Sequence, residues 1–325
     1  GGSLLIKNPL NLADKISFDT NITRFEKNID FCYQVPHPFS SPVTTKFASY
    51  FHKYVHPLEV GKNDSAYEAH QGGFLLGLTK EYKAYSFWGL SIGNEWMSTR
   101  RVRGNLKLAP HMINTTIPYF FIEPNLIIDR RNDKIKTTKG SLTFCSIKLM
   151  VPEINRSMTY RVMLDHAIFH HFGNKVIGAI RVRFGHIFRQ RFEEIMPIER
   201  FFLGGPLSVR GYSKDTVPPL GATWRQCPDG KLHKEYTIQG GCSMLNGNIE
   251  LRFPIYKSFG GVIFQDVGVL SQSGLCWFNG AWSPTSGWGL RYQTPIGTLR
   301  FDIGWKWKRS FPRDSLYTWY LTLGQ

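Results

Sequence analysis

Along most of the chain, apolar and polar residues alternate with a period of two, the signature of strands with one apolar and one polar face. Ile16, Phe18, Thr20 and Ile22 oppose Lys15, Ser17, Asp19 and Asn21. Near the C-terminus Leu299, Phe301, Ile303, Trp305 and Trp307 oppose Arg300, Asp302, Gly304, Lys306 and Lys308 without an exception. Asn246, Asn248, Glu250 and Arg252 likewise oppose Ile249, Leu251 and Phe253, and Arg181 and Arg183 oppose Ile180, Val182 and Phe184. The pattern predicts strands over 4–8, 16–22, 28–35, 43–55, 67–80, 83–97, 100–109, 117–129, 141–151, 157–170, 175–189, 245–256, 261–270, 287–295, 298–308 and 316–324. No helical stripe competes with them. Even spacing over the whole chain, with no linker or break in composition, argues for one sheet closed on itself. About sixteen strands, each with its connection taking about twenty residues, suit a closed antiparallel barrel.

The faces decide what kind of barrel. An interior of Arg, Lys, Asp, Glu and Asn is too charged for a dry core, where an unpaired ion costs several kcal/mol. The charged face must therefore be wet and the apolar face must meet lipid. Composition agrees: 42% hydrophobic and 14% aromatic residues sit beside a net charge of +16. A mean hydropathy of −0.24 hides such a surface, because alternating faces cancel in any average. No run of 18 apolar residues offers a helical span. The fold class expected is thus all-β, a transmembrane antiparallel barrel over 1–325. The excess positive charge could repel cations in a pore, attract acidic clients or meet anionic headgroups.

The longest stretch without a strand pattern, 190–243, holds Glu199 to Tyr212, ERFFLGGPLSVRGY. Gly204 and Gly205 open backbone angles closed to other residues, and Gly211 directly after Arg210 lets a tight turn present one guanidinium. From Phe201 to Arg210 the chain reaches about 30 Å, enough to dip from a barrel's rim to its middle. Parity places Asp266 on one face with Phe264 and Gly268, and Glu250 on one face with Asn248 and Arg252, so both carboxylates point inward. The bland reading keeps Arg210 in solvent on a mobile loop, with Asp266 merely lining a pore.

Other chemistry finds little support. Cys32, Cys145, Cys227, Cys242 and Cys276 make no CxxC and no zinc spacing, although Cys227 and Cys242 share the long loop and could bridge there. His170 and His171 are neighbours on a strand and face opposite ways, so they cannot share one ion. No glycine-rich loop runs into Lys-Ser or Lys-Thr, which leaves nucleotide binding without a motif. Trp305, Trp307, Trp319 and Tyr320 with Lys306, Lys308 and Arg309 could form a nucleic-acid surface, but at a strand end an interfacial girdle with snorkelling cations fits better. Neither a catalytic residue, a metal nor a cofactor is expected. Gly1-Gly2-Ser3 reads as an expression scar, with an export signal lost upstream.

Taken in order, the motifs resemble the outer-membrane insertase and transporter superfamily that includes BamA, TamA, the two-partner secretion transporters and the chloroplast import channel. Val209-Arg210-Gly211-Tyr212 resembles that family's signature on the sixth surface loop. GNIELRFP (Gly247 to Pro254), FQDVG (Phe264 to Gly268) and GWGLRYQTPIGTLRFDIG (Gly287 to Gly304) resemble the strands that follow, and DRRNDKIKTTKG (Asp129 to Gly140) a turn in mid-barrel. The resemblance implies that Arg210 reaches into the lumen and pairs with Asp266 and Glu250. It implies POTRA repeats ahead of the barrel, client outer-membrane or translocated polypeptides as partners alongside accessory assembly proteins and the bilayer, and no nucleic acid. Location would be the bacterial outer membrane or an organellar outer envelope. The expected activity is insertion of proteins through a lateral seam between the first and last strands. The alternatives are a secretion or import pore threading unfolded chains, or a general diffusion porin. A soluble sugar- or lipid-binding barrel is disfavoured by the charged interior. Two departures stand out: the seam strands, short at the start and lacking an aromatic terminus at Leu323-Gly324-Gln325, and an insertion from Ser213 to Gln239 with no assigned role.

Overall fold

In the computed structural model, which describes residues 1–10, 12–57, 65–102, 105–134, 136–153, 157–173, 175–189, 191–226, 232–277, 280–294, 297–312 and 314–323, fifteen strands form one sheet in chain order. They begin with β1 (Gly2–Lys7), β2 (Lys15–Ile22), β3 (Glu26–Val35), β4 (Thr44–Pro57) and β5 (Ser65–Lys83). The middle of the sheet is β6 (Ser86–Arg100), β7 (Thr116–Asp129), β8 (Gly140–Pro152), β9 (Thr159–Phe172) and β10 (Val176–Phe188). A separate hairpin of β11 (Leu220–Gln226) and β12 (Leu232–Ile238) follows. The large sheet resumes with β13 (Ser243–Tyr256), β14 (Phe259–Ser271), β15 (Ser283–Thr294), β16 (Gly297–Lys306) and β17 (Tyr317–Leu323). Helical structure among the described residues is confined to three-residue 3-10 turns such as Phe192–Glu194 and Pro197–Glu199.

The period-two pattern explains which face is which. In β16, Leu299, Phe301 and Trp305 stay accessible while Asp302 and Lys306 are buried. The same inversion holds in β13, where Ile249 and Leu251 are exposed and Asn246 and Glu250 buried. Rows of exposed Phe, Ile, Leu and Trp continue around the sheet, far more than a water-facing surface carries.

The sheet curls into a barrel. Laid flat, strands spaced at roughly 4.8 Å would put β3 and β17 roughly 60 Å apart. Yet the Tyr320 hydroxyl on β17 donates to the Tyr212 carbonyl, and Lys214, two residues further on, pairs with Glu26 on β3. Two residues span only about 7 Å, so both walls must meet the same short stretch of loop.

Every pairing in the sheet is antiparallel. With an odd number of strands, β1 and β17 consequently run in the same direction, and no ladder joins them among the described residues. Gly2 and Ser3, read from the sequence as a scar, sit in β1 opposite Thr20 and Asp19.

Two strand expectations need correction. Beyond Arg100, which ends β6, the described residues of the 100–109 segment, 101–102 and 105–109, form no strand. Their backbone is occupied elsewhere: the Lys107 amide donates to the Gln239 side chain (2.8 Å), the Ala109 amide to the Glu193 carbonyl (2.9 Å), and Leu108 is buried in a cluster with Met97 and Met112. Conversely, the stretch 190–243 is not free of strands, since β11 and β12 pair within the Ser213–Gln239 insertion. Their alternation is too short and too polar to stand out in the sequence.

Candidate functional site

The chain between β10 and β13 folds inward. It is built on a compact turn in which the Gly205 amide donates to the Tyr212 carbonyl (2.9 Å) and the Val217 amide to the Leu203 carbonyl (3.0 Å). Gly204, Gly205 and Gly211 all take positive φ, +119°, +100° and +106°, where a side chain would be strained. Leu203, Val209, Tyr212 and Val217 bury together with Phe201, Met244 and Leu270, giving the turn its own apolar centre against the wall.

From that turn Arg210 projects into the interior and is 2% exposed. Its backbone amide and Nε both donate to Asp266 Oδ2 (3.0 and 2.8 Å), and one Nη donates to Oδ1 (2.8 Å). The other Nη donates to Glu250 Oε1 at 2.6 Å. The guanidinium carbon lies 3.5 Å from the centre of the Phe264 ring. The fork geometry of arginine fits a carboxylate with two parallel bonds, which a lysine cannot reproduce. Strand register explains the convergence: Asn248 stands directly opposite Asp266, and Glu250 opposite Phe264, so the two carboxylates are diagonal neighbours on one inner face.

The pairs around it complete the charge balance. Asn248 donates to Asp266 Oδ1 (2.8 Å), and Arg252 Nε to Glu250 Oε2 (2.9 Å), so two cations meet two carboxylates. Burial works against the Arg210 charge, but the bonds to Asp266 and the nearby Glu250 outweigh it and hold the guanidinium above its ordinary value.

Close approach of loop and wall depends on two glycines of the wall. A Cβ on Gly304 would lie 2.6 Å from the backbone carbon of Arg210, and one on Gly268 would lie 2.7 Å from Val209 Cγ2. Thr318 Oγ1 donates to the Gly211 carbonyl (2.9 Å), fixing the turn to β17.

Each residue singled out in the sequence therefore has a place: Arg210, Asp266, Glu250 and Phe264 meet at the clasp, Gly204, Gly205, Val209, Gly211 and Tyr212 shape the turn, and Gly268 leaves it room. Asn248, Thr318 and Gly304 were not singled out as contacts; their inward parity was readable, their partners were not. The aromatic girdle needs correction, because Tyr320 points inward to Tyr212, and Lys306 bonds Asp314 (2.6 Å) and lies over the Tyr212 ring. Cys227 of the suggested bridge lies outside the described residues; Cys242 is buried with its Sγ 3.4 Å from the Ser271 carbonyl.

A family model described as the Omp85 superfamily domain matches residues 8–325, nearly the whole chain. The chain belongs to the Omp85 superfamily. Among solved structures, this Omp85 barrel is similar to BamA from Haemophilus ducreyi lacking POTRA domains 1–3, with a TM-score of 0.80 at 18% identity, covering 98% of this chain and 65% of that one. It is also similar to CdiB from Escherichia coli (TM-score 0.62, 13% identity, covering 98% of this chain and 57% of that one). For CdiB from Acinetobacter baumannii the TM-score is 0.58 at 13% identity, covering 99% and 56%. At such identities the likeness is one of fold, and this Omp85 chain spans less than two thirds of the length of those structures.

Proposed function

We propose that this Omp85 barrel inserts proteins into an outer membrane, bacterial or organellar, by letting a client strand add at the seam between β1 and β17 while the inward loop stays clasped by Arg210, Asp266 and Glu250. The observation that carries this reading is the inward loop itself, whose buried Arg210 is bonded through its amide and all three guanidinium nitrogens to Asp266 and Glu250 and so leaves the chain between β10 and β13 docked on the inner wall. Among the described residues no ladder joins β1 to β17, and an edge strand with unpaired backbone groups is a template on which an extended segment can add. The exposed apolar belt supports residence in a bilayer. The barrel acts by geometry, without covalent chemistry, cofactor or metal; its partners are unfolded outer-membrane polypeptides, lipid and, through POTRA repeats, accessory assembly proteins, with no part for nucleic acid. A second reading, a secretion or import pore, draws on the charged inner wall at Arg181, Arg183 and Arg300, which a threaded chain would pass. A diffusion porin accounts for the wall but not for the clasp.

A photo-crosslinker placed at Ile6 on β1 or Leu321 on β17, compared with one at Arg181 or Arg300, separates the readings during insertion of a radiolabelled barrel client into vesicles. Insertion predicts adducts at the edge positions. Adducts at the lumen positions alone would replace it with the threading pore.

A further inference from the structure

The sequence ERFFLGGPLSVRGY has two halves, and the clasp uses only the second. The first half is just as deeply buried: Glu199, Arg200 and Phe201 are 4%, 3% and 3% exposed. Glu199 meets other strands than those that hold Arg210. Lys148 Nζ on β8 donates to Glu199 Oε1 (3.1 Å), and Arg161 on β9 donates to Oε2 (3.2 Å). Lys148 also pairs with Glu95 on β6 at 2.7 Å. Glu95 is held in turn by the Tyr50 hydroxyl (2.8 Å) and Gln71 (2.9 Å). Two carboxylates and two cations again balance.

The two sites share a plan. At each, an arginine bonds a carboxylate across the gap between loop and wall and is covered by an aromatic ring. Arg210 belongs to the loop and lies over Phe264 of the wall; Arg161 belongs to the wall and lies 4.9 Å from the Phe201 ring of the loop. Arg200, beside Glu199, donates to the Ile195 and Gln239 carbonyls (both 3.1 Å), which stiffens the arm that carries the carboxylate. Burial pushes the Glu199 carboxyl up, but Lys148 and Arg161 outweigh it and hold it below its ordinary range.

We propose that Glu199 is a second, independent clasp, which pins the entering arm of the loop to the β6–β9 wall while Arg210 pins its tip to β13–β14, so that the loop crosses the lumen as a strut fixed at both ends. Glu199 is a positioning residue: it sets where the arm lies and leaves the Arg210 contacts to form on their own. The inference deepens the insertion reading, in which the loop must stay inside while the seam works, but its test involves no client.

The test is peptide-resolved hydrogen exchange on the refolded barrel in nanodiscs, without client. Breaking a buried pair by removing one partner costs about 3 kcal/mol or more, so Glu199→Gln raises exchange at 198–203 by roughly 100-fold. Exchange at 208–212 stays at the native rate. Arg210→Ala gives the opposite pattern. Arg161→Met, changed from the wall side, repeats the Glu199→Gln effect, and the double variant is no worse than either single one. Native exchange at 198–203 in Glu199→Gln and Arg161→Met, additive effects, or release of both segments together in any variant would overturn the second clasp. Failure of the native barrel to insert a client would count against the proposed function and leave this result standing.

Discussion

At the clasp the two carboxylates are not equivalent. Asp266 accepts three bonds from Arg210 and one from Asn248, whereas Glu250 accepts one from Arg210 and keeps Arg252 as a second partner. Asp266→Asn is therefore expected to release the loop more than Glu250→Gln, by about 3–5 kcal/mol in the worst case of a stranded buried charge. Limited trypsin digestion after Lys214 measures this: cleavage accelerates strongly in the first variant and modestly in the second, and equal rates would show that the diagonal carboxylate matters as much. The same residues show what sequence could tell. Inward parity at 250 and 266 and the glycine after Arg210 were legible because they are local. Glu199 was not assigned a partner because Lys148 and Arg161 lie far away along the chain, and alternation says which face a side chain takes but not what stands across the lumen.

Loop and wall also fit as elements. Gly304 of β16 lets the Arg210–Gly211 backbone lie against the strand, and a Cβ there meets atoms that cannot swing aside. Gly304→Ala is expected to cost about 1–3 kcal/mol of loop docking and Gly304→Val more, read as a falling midpoint for loss of loop protection in urea with the barrel still resistant to unfolding in detergent gels. A second expectation concerns pH. Burial raises the Asp215 carboxyl from 3.8 to about 6, with Lys214 lowering it and Glu26 raising it. An acid whose value rises on docking favours the docked loop while protonated, so docking is strongest below pH 4 and weakens as pH climbs through 6. Exchange of the 213–217 amides, corrected for intrinsic rates, should increase from pH 5 to 7.5 in the native chain and lose that trend in Asp215→Asn. At this scale the strands of the sheet were readable, since each follows its own alternation. The 100–109 segment misled because it carries strand-compatible residues whose amides are claimed by Gln239 and Glu193, and the hairpin of β11 and β12 was hidden by its polarity.

For the whole molecule, both readings of function put the loop across the interior, so removing it has to change what passes. Deletion of 200–240 is expected to raise single-channel conductance in planar bilayers several-fold, while Arg210→Ala alone gives a smaller rise because the arm at Glu199 remains attached. Equal conductance of the deletion and the native barrel would mean that the loop does not obstruct the lumen. The barrel itself was legible from one argument, that a charged face must be wet. What the alternation could not supply is the parity of the strand number, because a single misread segment changes odd to even. That parity has an arithmetic consequence. Gly2–Lys7 and Tyr317–Leu323 point the same way. A ring that stays antiparallel throughout therefore takes one further strand between them, or three, or five, from its own chain or a guest; a lone hairpin would leave one margin beside a parallel neighbour.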